Sequence, residues 1–328
     1  MKKTWQCIIL MIILFTELNC SAQEDIDLSL IKSPIIFKGD YKFGFRDPAV
    51  LFHNGVFHLF FTLVESAEDG GNYWYTAHSQ SRNLVNWSFP VIITPKSRRL
   101  NFSSPGNIIK YNDEWILCLQ TYPTPNREEF GTGDCRLYIM RSPDLYKWSE
   151  PELLKVKGNN IPVEDMGRMI DPYLIADSEQ PGRWWCFYKQ NGVSMSYSYD
   201  MKNWTYYGNA KSGENVSIIE VKNEFVLFHS PRNGIGIKRS SRINEWNENT
   251  KLIFLGQDEW DWAQGRITAG TVADLTDNNN IGKYFLFYHG ESTEGREYSR
   301  AHGFASIGIA WSDDLKTWNW PQKNHNKK

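Results

Sequence analysis

Three acidic residues in this 328-residue chain stand at the heads of apolar runs, and their types suit proton transfer. They are Asp47 in Arg46-Asp47-Pro48, Asp171 in Ile170-Asp171-Pro172, and Glu214 in Glu214-Asn215-Val216-Ser217-Ile218-Ile219. If these runs are the inner strands of one repeating fold, the three carboxylates converge at one mouth. Three acids so close cannot all ionise at neutral pH, because a like charge disfavours ionisation. A carboxylic acid beside a carboxylate is the pairing that glycoside hydrolysis requires. Glu214 has the longer reach and suits proton delivery to a glycosidic oxygen. Asp47 suits the base role, and Asp171 suits tuning the acid and holding the sugar. A single Asp-Pro before a strand is ordinarily a turn or cap. Three acids at equivalent strand starts are what carry the catalytic reading.

The equivalence rests on a repeat. A Trp four residues after a polar residue occurs at Asn83–Trp87, Asp144–Trp148, Asp200–Trp204, Arg242–Trp246 and Asp314–Trp318. Five copies with strands between them predict an all-β, five-bladed β-propeller with four antiparallel strands per blade. The propeller spans 41–321, after a lead-in at 23–40 and before a tail at 322–328. Blade one is the cleanest: Ala49-Val50-Leu51-Phe52 runs into Asn54-Gly55, a two-residue hairpin signal. Matched blade to blade, the first strands are expected to begin at Asp47, Ser104, Asp171, Glu214 and about Thr268. Long loops at 65–72, 122–134, 189–192, 229–234 and 289–303 fall on the face where those strands start, which is where function is expected. The Trp phrases themselves lie late in each blade and are read as fastening the outer strands.

A net charge of −2 leaves no footprint for nucleic acid or an anionic membrane surface. The N-terminus reads as a signal peptide, 1–22, with Lys2 and Lys3 ahead of a short apolar core at 7–15. That core is too short to span a bilayer, and no other segment qualifies. Cleavage after Ala22 is favoured over lipidation of Cys20, because Asn19 makes a poor lipobox. The expectation is an exported protein, periplasmic or secreted. The mature chain keeps Cys118, Cys135 and Cys186, an odd number without CxxC, which argues against a disulfide framework or zinc site. Buried free thiols are expected, with a Cys118–Cys135 bridge as the alternative.

At its three acids the chain resembles glycoside hydrolase family 43 and its five-bladed relatives. Arg46-Asp47-Pro48, Ile170-Asp171-Pro172 and Glu214 match that family's base, pKa modulator and acid in order and in blade. The resemblance covers about 40–320. It implies inverting hydrolysis of furanosides or pyranosides, commonly arabinofuranosyl, xylosyl or galactosyl units, on an oligo- or polysaccharide. Two departures point to an outlying subfamily or a sister family. Asn215-Val216 follows the Glu where Gly-Pro is usual, and the inner strand of blade five (Arg266-Ile267-Thr268-Ala269-Gly270-Thr271) lacks the His that lies near a central cation. A structural calcium is therefore not expected, and no cofactor is required.

Further substrate-binding candidates are Arg46, Trp74, His229, Arg232, Gln264, Arg266 and His289. Arg46 adjoins the base, although strand alternation should turn it away from Asp47. His229 and His289 end second strands and are reserve candidates for the acid. Trp74, Trp260 and Trp262 are aromatic faces suited to sugar rings, while Tyr122 and Arg127 are lid candidates. The rival readings are a non-catalytic glycan-binding propeller and a glycoside phosphorylase, whose phosphate pocket would draw on Arg232, Arg266 and Arg296.

Overall fold

A computed structural model describes residues 26–231, 234–294 and 304–323. It is a five-bladed β-propeller, and each blade is an antiparallel sheet whose strands follow one another outward. The inner strands are Phe43–His53, the broken pair Phe102–Ser103 and Ile108–Tyr111, Ile170–Ala176, Glu214–Val221 and Arg266–Leu275. The hairpin expected in blade one is present, with Asn54 and Gly55 both at positive φ (49° and 74°), as such a turn demands. Among the described residues no helix is long and apolar enough to cross a membrane.

The lead-in is part of the ring. Ile35–Phe37 pairs antiparallel with Ser306–Ser312, adding a strand from the beginning of the chain to the last blade. Ile309 N–H also donates to the Pro34 carbonyl at 2.8 Å. Three residues are too few for a period-2 pattern to announce them.

The repeat phrase makes a turn and a wedge. In the last copy, Ser312 Oγ accepts from Leu315 N–H and Asp314 Oδ1 accepts from Lys316 and Thr317 N–H. The same side-chain acceptors recur at Ser142 and Asp144. They hold Leu84, Leu145, Met201 and Leu315 at positive φ while burying them. The fourth copy has Arg242 where the others have an acceptor, and Ile243 is not among the positive-φ residues. Each Trp packs back on the blade before it. Trp148 meets Phe60 edge-on at 5.4 Å, and Trp87 meets Phe287 of the last blade at 6.4 Å. Trp204, Trp246 and Trp318 join clusters with residues of blades two, three and four respectively. The Trp residues therefore join blade to blade, rather than only fastening each blade's outer strands.

Candidate active site

Every inner strand carries one residue in the left-handed region near its start. These are Asp47 (φ 45°), Ser104 (42°), Asp171 (54°), Asn215 (52°) and Ala269 (52°). Pairing with the second strand skips at each of these points in blades one, three, four and five, the mark of an inserted residue. Asp and Asn tolerate this conformation because their short polar side chains bond locally. The five residues ring a void of about 20 Å³ on the axis, room for about one water.

The ring falls one residue later than expected in blades four and five. The equivalent of Asp47 in blade four is Asn215, not Glu214, and in blade five Ala269, not Thr268. Pro follows the ring residue in blades one to three and marks it, whereas blades four and five have no Pro there. Glu214 lies one residue earlier, at the position of Arg46, and still lines the pocket that Asp47 and Asp171 share. The inserted residue also upsets simple alternation, so Arg46 and Asp47 line the same pocket.

Asp47, Asp171 and Glu214 share one pocket of about 240 Å³. Asp47 Oδ2 accepts from Thr62 Oγ1 at 3.0 Å and Ser104 Oγ at 3.1 Å. Burial pushes its carboxyl above the usual range, against the opposing pull of the Arg46 guanidinium and these two hydroxyls. Asp171 is 7 % exposed; its N–H donates to Gln120 Oε1 at 2.5 Å, and its Oδ2 accepts from Asn215 N–H at 3.3 Å. Burial, then the charges of Glu214 and Asp47, lift Asp171 to about 8. Because the charges of Glu214 and Asp47 both act on Asp171, the proton belongs to the carboxylate group rather than to one residue. Glu214 is more exposed and takes Arg266 Nη2 on Oε1 at 2.6 Å.

Other sequence candidates divide. Arg46 lines the pocket and is paired with buried Glu291. Trp74 lines it too, its ring 4.7 Å from that of Tyr122, which is also a lining residue. Arg266 is in the pocket as expected. His289 is 1 % exposed and stands behind the wall, its Nδ1 accepting the Asp47 N–H at 3.1 Å. His229 is likewise buried outside the pocket lining, accepting Gly213 N–H at 2.9 Å, and burial lowers its pKa to about 4. Gln264 is exposed and lines no part of the pocket. Trp260 and Trp262 stack on each other and on Tyr288, packing the last blade rather than the pocket. Arg127 binds the Asp69 carbonyl beside a neighbouring cleft. Arg232 and Arg296 lie outside the described residues. Cys118, Cys135 and Cys186 are buried free thiols, and no Cys118–Cys135 bridge is formed.

Gln120, Phe130, Arg168, Lys189 and Asn215 also line the pocket without having been singled out. Gln120 had a signal: it is a lone amide ending the apolar strand Glu114–Thr121. The others come from loops and strand ends whose meeting depends on how the blades close.

Three comparisons bear on this geometry. The model of the glycosyl hydrolases family 32 N-terminal domain matches residues 45–320. No curated protein matches the chain. Among solved structures, an exo-1,5-α-L-arabinanase from a bovine ruminal metagenomic library superposes with a TM-score of 0.57 at 17 % identity, covering 86 % of this chain and 99 % of that one. The catalytic domain of a Coprinopsis cinerea GH62 α-L-arabinofuranosidase gives 0.58 at 13 % identity, covering 85 % and 97 %. A thermostable family-43 glycoside hydrolase gives 0.56 at 14 % identity, covering 88 % and 96 %. These identities establish a shared fold, the propeller expected from the family 43 resemblance, while the matching model is that of a sister family. The chain belongs to the glycosyl hydrolases family 32 N-terminal domain family and is a glycosidase, a glycan-cleaving hydrolase.

Proposed function

We propose that the chain removes a terminal glycosyl unit from a glycan by single displacement, with Asp47 as base, Glu214 as acid and Asp171 as the group that tunes the acid. The observation that carries this is the meeting of the three carboxylates in one pocket. Two hydroxyl donors fix Asp47, so one oxygen is held and the other is left to activate water. Arg266 occupies Glu214 Oε1, so Oε2 is the oxygen that delivers the proton. Asp171, lifted to about 8, keeps a proton beside Glu214 at neutral pH.

The unit removed is proposed to be arabinofuranosyl, with xylosyl and galactosyl next. The arabinanase and arabinofuranosidase folds nearby support that order. Export is proposed from the N-terminal signal, and the mature protein should begin at Gln23; a chain starting at a lipidated Cys20 would contradict cleavage after Ala22. The functional test is a panel of aryl furanosides and pyranosides together with natural oligosaccharides. Turnover by wild type that is lost in Asp47→Asn supports the proposal. A wild type inert across the panel, or one matched by Asp47→Asn, defeats it.

A further inference from the structure

Four cationic side chains line the pocket, and two are matched by acids within the protein. Arg46 pairs with Glu291, and Arg266 pairs with Glu214. Arg168 and Lys189 enter no ion pair among the described residues. Both are more exposed than Asp47 and Asp171, so they sit toward the mouth while the acids lie deeper. Arg168 is a held group. Its backbone carbonyl accepts from Gln190 Nε2 at 3.0 Å, its Nε lies 3.5 Å from the Gly131 carbonyl, and its guanidinium stands 5.7 Å from the Tyr122 ring. Tyr122 is itself stacked on Trp74. Phe130, 53 % exposed, adds an apolar face to the same pocket. Glu128 and Glu129 face the adjoining cleft instead, and Glu128 is tied to Asn126.

We infer that the sugar on the leaving-group side carries an anion, a uronic carboxylate or a sulfate ester, recognised by Arg168 and Lys189 with its ring against Phe130. This rests on the hydrolase reading, since the cleaved unit fills the deep end and only the remaining glycan meets the mouth. A guanidinium fork matches either anion in two-point geometry. An acidic sugar there gains charge-assisted hydrogen bonds to Arg168 and Lys189 that a neutral sugar cannot make.

Two measurements test this. Calorimetric binding of galacturonate, galactose 6-sulfate and galactose should show an anionic sugar bound about tenfold or more tightly than galactose, ~1.4 kcal/mol, with the advantage shrinking at high salt. The double variant Arg168→Gln/Lys189→Gln should abolish that advantage. A gain confined to galacturonate assigns a carboxylate, and one confined to the sulfate assigns a sulfate ester. Equal binding of all three, or an advantage that survives in the double variant, overturns the inference. Turnover of matched disaccharides differing only at C6 of the leaving sugar separates this inference from its foundation. Hydrolysis with no preference for the acidic member defeats the anion site alone. Anion-selective binding without hydrolysis of any glycoside defeats the hydrolase reading and leaves the site standing.

Discussion

Replacing Asp171 by Asn should stabilise the protein at alkaline pH while disabling it. The folded environment lifts Asp171 from 3.8 to about 8, first by burial and then through Glu214 and Asp47. A raised pKa means that the folded state binds this proton more tightly than the unfolded chain. The contribution to stability is fully present below about pH 4 and is lost as pH rises through about 8. A shift of about four pH units at ~1.4 kcal/mol each makes the full span on the order of 5 kcal/mol. Asn mimics the protonated acid in shape, tolerates the left-handed backbone, and keeps an oxygen for the Asn215 N–H. Because Asp171 interacts with Glu214 and Asp47, the difference in Tm reports the proton shared by this carboxylate group rather than one isolated residue. That difference should be near zero at pH 4, grow between pH 4 and 8, and level off beyond. At roughly 2 °C per kcal/mol for a domain of this size, it reaches about 10 °C. Scanning calorimetry of both proteins from pH 4 to 9 measures it. A difference that stays flat, or an Asn variant that is less stable throughout, would refute the reasoning. In a Glu214→Gln background the span should shrink, because the second cause of the shift is gone.

Two further outcomes follow from the assigned roles. Glu214→Gln should lower turnover of substrates with poor leaving groups by ~10²–10⁴ yet spare glycosides of acidic phenols, which depart without a proton; an equal loss on both would remove Glu214 from the acid role. Asp47→Asn and Asp47→Ala should be comparably inactive, but at the left-handed position of Asp47 the Ala variant should be less stable than the Asn variant by about 1–2 kcal/mol. Equal denaturation midpoints would mean that this backbone geometry carries no strain.

Much of the architecture could be read from local patterns. The Trp phrase fixed the blade count because each copy packs the same way, and Asn54-Gly55 announced its hairpin through backbone chemistry alone. The two Asp-Pro pairs pointed to ring positions. Where Pro was missing, the reading slipped by one residue in blades four and five, because an inserted residue leaves no mark in hydrophobic alternation. His229 and His289 are polar residues at strand ends near the expected face, and sequence does not distinguish a side chain aimed at the pocket from one supporting its wall. Gln120, Arg168 and Lys189 reach the pocket from blades two and three, a convergence encoded in no single blade. The closing strand Ile35–Phe37 was hidden for the same reason: its partner lies at the other end of the chain.

The most direct test of the central claim is proton NMR of the first-formed sugar released from an identified substrate. With Asp47 activating water opposite the leaving group, the initial product must carry the inverted anomeric configuration before mutarotation. A product formed with retained configuration would contradict the account and make Asp47 the residue that attacks the sugar carbon.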